Sequence, residues 1–197
     1  MKRLLFAGIL LLMTRVALAQ KGDKDTLIYN LPVVNGRLIY EGSGKVNGRD
    51  RATLDSTAKQ WFYGFFKLNH LSDENPAVVF SDSDTSTVML NRGFLEYSVR
   101  PGMVNISFVA IIRIKVTCAD NTYGYKIDNI FFRPKNGTLN ALGYQNNPQY
   151  LIEVYKRKHI GFWTSMNVTR AQIRDYLSNM NAAIRDCIAS LNKAMAN

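Results

Sequence analysis

From Val104 to Cys118 the chain alternates apolar and polar residues with a period of two, and no other stretch restricts the fold as tightly. The even positions read Val104, Ile106, Phe108, Ala110, Ile112, Ile114, Val116 and Cys118. The odd positions include Asn105, Ser107, Arg113, Lys115 and Thr117, with Val109 and Ile111 as apolar exceptions. Successive strand side chains point to opposite faces. The pattern therefore predicts a long strand with one buried and one largely wet face, in an antiparallel sheet covered on one side.

Further strands are expected around it. Ala77–Phe80 and Thr87–Leu90 flank a Ser/Asp-rich hairpin loop, Phe94–Arg100 follows Gly93, and Tyr123–Phe132 returns after a turn at 119–122. Arg37–Val46 reads as a weaker strand behind the turn dipeptide Asn35-Gly36, with Gly42 and Gly44 suggesting a bulge. Two helices are expected to cover the sheet. The first, Arg51–Leu68, has Asp50 as N-cap and Leu54, Ala58, Trp61, Phe65 and Leu68 along one face. The second opens at Val168 or Thr169 and reaches about Met195. Its seam of Ile173, Leu177, Met180, Ile184, Cys187 and Leu191 suits packing on a sheet, or pairing with a second copy. Tyr150–Tyr155 fits either a short strand or a helical turn.

The N-terminus constrains location. Lys2 and Arg3 precede the short apolar run Leu4–Met13, and Ala17-Leu18-Ala19 supplies small residues two apart, the layout of a signal peptide cut between Ala19 and Gln20. The run is too short to span a bilayer, and no later segment reaches spanning length. No cysteine follows the cut, so a lipid anchor is not expected. Cleavage would leave 178 of the 197 residues, one domain's worth. Of the formal charge of +10, Lys2, Arg3 and Arg15 carry three, leaving +7. That surplus favours anionic partners. Lys156-Arg157-Lys158, followed by Phe162 and Trp163, is a candidate contact for headgroups or glycan.

Cys118 and Cys187 lie on the buried side of the best strand and in the buried seam of the last helix. If that helix covers that sheet, the sulfurs face one layer. A bridge between them is then geometrically conceivable in an oxidising compartment; the alternative is two separate buried thiols. Catalytic signatures are absent from the sequence. No Gly-x-Ser-x-Gly elbow occurs, neither His70 nor His159 has metal-ligand neighbours, and Gly42-Ser43-Gly44-Lys45 lacks the first glycine and final hydroxyl of a phosphate loop. No cofactor or metal is expected.

Leu31-Pro32-Val33-Val34-Asn35-Gly36-Arg37-Leu38-Ile39-Tyr40, followed by a helix carrying Ala58-Lys59-Gln60-Trp61-Phe62, resembles an exported domain-of-unknown-function family of Bacteroides-type bacteria with a TATA-binding-protein-like (TBP-like) fold. The resemblance covers about 31–132. It implies a curved antiparallel sheet with helices on one face and carries no catalytic residues across.

The resulting expectation is an α+β chain: signal peptide 1–19, flexible lead-in 20–30, TBP-like domain 31–134, irregular extension 135–166 and C-terminal helix 167–197. It is read as a non-catalytic envelope protein, periplasmic or secreted, monomeric or weakly dimeric. The expected partner is a protein, glycan or lipid and not nucleic acid. Asn105, Ser107, Val109, Ile111, Arg113 and Lys115 form the candidate contact face. The rival reading is an exported hydrolase of envelope polymers, gathering His70 or His159 with Asp82, Asp128 or Glu153.

Overall fold

The computed structural model describes residues 26–68, 79–82, 86–100, 105–136, 147–156 and 169–197. A helical turn over 26–29 leads into a hairpin of β1 (Val33–Val34) and β2 (Arg37–Leu38). Asn35 and Gly36 form its two-residue turn, both at positive φ (50° and 72°), which matches the twist of the flanking strands. Then follow β3 (Tyr40–Lys45), α1 (Arg51–Phe66), β4 (Val79–Asp82), β5 (Thr87–Val99), β6 (Ile106–Ala119), β7 (Thr122–Pro134), α2 (Pro148–Lys156) and α3 (Arg170–Ala196).

β3 to β7 form one antiparallel sheet in the order β3-β7-β6-β5-β4. The strand expected from alternation, β6, is central and regular. Both of its neighbours break their alternation beside it. On β5, Asn91 and Arg92 together oppose one residue of β6, because Leu90 pairs with Ile114 and Gly93 with Ile112. On β7, Asn129 and Ile130 do the same, because Asp128 pairs with Arg113 and Phe131 with Ile111. Asn129 adopts φ 51° there. Two bulges at one level bend their strands together and reverse which positions face inward. Thus Val88 and Leu90 face the core on β5, and after the bulge Leu95, Tyr97 and Val99 do. The two segments expected as separate strands are one strand of 13 residues.

The glycines of β3 have a specific use. Gly42 pairs with Tyr125 and Gly44 with Tyr123. A Cβ on either glycine would stand 2.5 Å from the facing tyrosine ring or its hydroxyl, so the glycines open the space in which the rings lie. The strand itself is unbroken across this pairing.

The described helices pack on one side of the sheet. Asp50 caps α1 by accepting from the Thr53 amide at 2.8 Å, and Asp120 in the β6–β7 turn accepts from the Arg51 amide at 2.8 Å. α1 buries Leu54, Ala58, Trp61 and Phe62, and the Lys67 backbone closes it in the left-handed conformation. Thr169 and Gln172 form a capping box at the start of α3, with the cap at one of the two expected openings. Every seam residue of α3 is buried within the one chain, so this seam is core and not a surface for a second copy. Hydrogen bonds add register to that packing: Tyr40 to Asn181 at 2.9 Å, Tyr123 to Asn192 at 2.8 Å and Trp61 to Ser190 at 3.1 Å.

Two expected irregular regions are partly structured. Pro148–Lys156, expected within an irregular extension, is a helix that buries Leu151, Ile152, Val154 and Tyr155. The described end of the expected flexible lead-in is anchored by Ile28, which is fully buried. Met1–Ala19 and the cleavage position Ala19–Gln20 lie outside the described residues.

Candidate functional site

Because the helices occupy one side of the sheet, the other side is the contact face to consider. Its residues form rows across the strands. Glu96, Val109 and Arg133 make one row; Phe94, Ile111 and Phe131 the next; Arg113 and Asp128 a third. Beyond the bulges come Met89, Lys115, Lys126 and Glu41, then Thr87, Thr117, Gly124 and Ser43. Phe131 is 41% exposed, while Phe94 and Ile111 are half-buried beside it.

Charges on this face are unevenly compensated. Arg113 donates to both carboxylate oxygens of Asp128, at 2.6 and 2.7 Å, and this pair holds the guanidinium above its ordinary pKa. Lys135 bridges Glu96 at 2.7 Å. Lys115 and Lys126 stand directly opposite each other in register, and neither makes an ion pair among the described residues. Like charges in that position repel. Beside them Glu41, Gly42, Ser43, Thr117, Gly124 and Tyr125 complete the lining of a shallow groove of about 450 Å³.

The contact residues chosen from sequence all fall on β6 or at its start. Asn105, Ser107, Arg113 and Lys115 are exposed and Ile111 is half-buried, as a contact face requires. Val109 is a correction: at 5% exposure it lies covered in register between the long side chains of Glu96 and Arg133. The structure adds Phe94, Lys126 and Phe131 from neighbouring strands. Their phase is reversed by the bulges, and only cross-strand register reveals them.

The proposed disulfide is not present. Cys118 and Cys187 are both free and buried. They share the core layer without being bridged. α1 packs on this part of β6, and it is the carboxylate of Asp55 on α1 that acts on the Cys118 thiol. Burial, with a smaller push from Asp55, raises that thiol to about 11, and burial raises Cys187 to about 12. Both are therefore neutral and unreactive in the folded chain.

The remaining candidates scatter. Lys156 lies over the Tyr29 ring at 5.9 Å, and Arg170 over Tyr155 at 4.4 Å, whereas Arg157 and Lys158 lie outside the described residues. His70 and His159 also lie outside them. Asp128 is held by Arg113, and Glu153 is exposed on α2. Among the described residues, no three His, Cys, Asp or Glu side chains gather as metal ligands, and no helix is long and apolar enough to cross a membrane.

An antiparallel sheet with the described helices on one face defines an α+β protein of the TBP-like fold. Solved structures with this arrangement include a TBP-like protein from Parabacteroides distasonis ATCC 8503, with TM-score 0.59 and 15% identity over 85% of this chain and 97% of that one. They also include a DUF4468 family protein from Bacteroides ovatus ATCC 8483, with TM-score 0.60 and 15% identity over 85% of this chain and 91% of that one. The family resemblance read from 31–132 points to the same group of bacteria and the same fold. No family model and no curated protein matches the chain.

Proposed function

We propose that this chain is a non-catalytic binding module exported to the cell envelope, holding its partner on the outer face of the sheet. One observation carries the reading: the sheet has a helix-covered face and an opposite face whose centre is the apolar row Phe94, Ile111 and Phe131, with Phe131 exposed. A polar rim surrounds that row, as at many protein contact surfaces. The signal-peptide layout of Met1–Ala19 supports export. The occupied state of Asp128 supports a binding role over hydrolysis, because a carboxylate held by two guanidinium hydrogen bonds is a poor general base.

The test compares capture from envelope extract by the purified chain and by two variants. Phe131→Asp places a charge in the row, and Tyr63→Asp alters an exposed aromatic on α1 at 43% exposure. Loss of the captured component with Phe131→Asp alone is the expected result. Equal capture by both variants, with unchanged thermal melts, refutes the outer face as the contact surface.

A further inference from the structure

We infer that the outer face carries a site for an acidic polysaccharide, whose carboxylate or sulfate groups are held between Lys115 and Lys126. The inference rests on the outer face being the contact face and names what that face binds. Lys115 and Lys126 are a direct cross-strand pair, so their Cβ atoms stand about 5 Å apart. Two ammonium groups so placed repel one another until an anion lies between them. Two other cations of the face have carboxylate partners, Arg113 with Asp128 and Lys135 with Glu96, while Arg133 donates to the backbone carbonyls of Pro134 and Lys135 and has no like-charged residue paired opposite it. Glu41 lines the same groove next to Lys126 without bridging it among the described residues.

The rest of the groove fits an oxyanion on a sugar. Ser43 and Thr117 present hydroxyls, and Gly124 between them leaves the trough floor bare of side chain. The aromatic row lies four β6 residues away, from Lys115 to Ile111, which is about 13 Å along the strand. A chain-like ligand running along β6 would reach both, with a pyranose ring against Phe131 and an acidic group at the lysines.

A membrane surface fits less well. Glu41, the one of this face's three carboxylates without an ion pair among the described residues, stands beside Lys126, and a continuous anionic headgroup surface would press like charge against it. A discrete chain can pass it by.

The experiment is calorimetric titration of the purified chain with oligogalacturonate at two salt concentrations. The neutral control is maltohexaose, and the other arms are inorganic phosphate, phosphatidylglycerol vesicles and a single-stranded oligonucleotide. Oligogalacturonate binding that weakens with salt, absent for maltohexaose and about tenfold weaker in K115Q/K126Q, is the expected result. Removing the repelling pair leaves the melt unchanged or raised, so lost binding cannot be assigned to unfolding. Equal binding by K115Q/K126Q overturns the site. Binding of vesicles, oligonucleotide or phosphate without oligogalacturonate overturns the ligand class. If Phe131→Asp abolishes envelope capture while K115Q/K126Q binds oligogalacturonate as well as the parent, the contact face stands and this site falls. If neither variant has any effect, both fall.

Discussion

Replacing Tyr40 by Phe removes one hydroxyl and leaves the shape of the core intact, which makes it a clean measure of what holds α3 to the sheet. The Tyr40 hydroxyl donates to Asn181 Oδ1 at 2.9 Å, and both residues are buried, at 5% and 4% exposure. The net value of such a bond is about 1 kcal/mol, and an acceptor left buried without its donor adds about 1–3 kcal/mol of desolvation cost. A loss of about 2 kcal/mol is therefore expected, a fall of roughly 4–8 °C in Tm for a chain of this size. Asn181→Leu strands the hydroxyl instead and should cost a similar amount. The double variant removes both partners, so it should cost less than the two single losses together, with a coupling energy of about 1 kcal/mol. Urea unfolding of the four proteins gives the cycle, and Tyr63→Phe on the exposed face of α1 is the control. A Tyr40→Phe change within about 0.3 kcal/mol of the parent, or strict additivity, would refute the claim that this bond fastens the helix.

Alkaline pH should unfold the protein from within. Burial raises Cys118 to about 11 and Cys187 to about 12, and it raises Tyr40, Tyr97, Tyr123 and Tyr176 as well. Each group holds its proton more tightly folded than unfolded, so this stability is whole below about pH 9 and declines as pH rises through the folded values. Denaturant melts from pH 7 to 11 should show that decline; a flat profile contradicts it. A thiol reagent should find two free thiols that react slowly in the native chain and rapidly in denaturant, and fast native labelling would deny their burial. Gly93→Ala places a Cβ 2.7 Å from the Phe66 ring and 3.3 Å from Ile112, so an overpacking loss of about 1–3 kcal/mol is expected by chemical denaturation. Gly64→Ala, with nothing within 4 Å, should be neutral or stabilising because alanine favours the helix.

What could be read without coordinates depended on how asymmetric each element's surroundings are. β6 was legible because one side is core and the other solvent, so period two survives in the residues. α3 was legible for the same reason at helical spacing. α2 was not, because its stripe of Pro148, Leu151, Ile152 and Tyr155 spans little more than two turns, too short to tell a helix from a buried strand by spacing. Ile28 was missed because one buried residue in a polar stretch has no periodicity at all. The cysteines were placed in the right layer, but depth in a sheet-and-helix sandwich is only one coordinate. How α3 lies across that layer decides whether the two thiols meet, and the spacing of neither seam encodes it. On the outer face, the residues of β6 were readable from alternation. Lys126 and Phe131 were not, since pairing is a property of two strands.

The twin bulges beside β6 make single-residue deletions asymmetric. Removing Arg92 would close the bulge into an even ladder that still sets Leu90 opposite Ile114 and Gly93 opposite Ile112, so Leu95, Tyr97 and Val99 would stay on the core side, whereas losing Phe94 with the bulge kept would turn them to water. The same holds on β7, where losing Asn129 would leave Ile130 opposite Ile112 and Phe132 opposite Ala110, both still on the core side. In β6 a residue inserted between Ile112 and Arg113 would fill both bulges and, in an even strand, turn Ile114, Val116 and Cys118 to the opposite face. The extra residue in each flanking strand is thus a parity marker. The core positions switch between even and odd numbers at these two points while the facing of the ladder does not change.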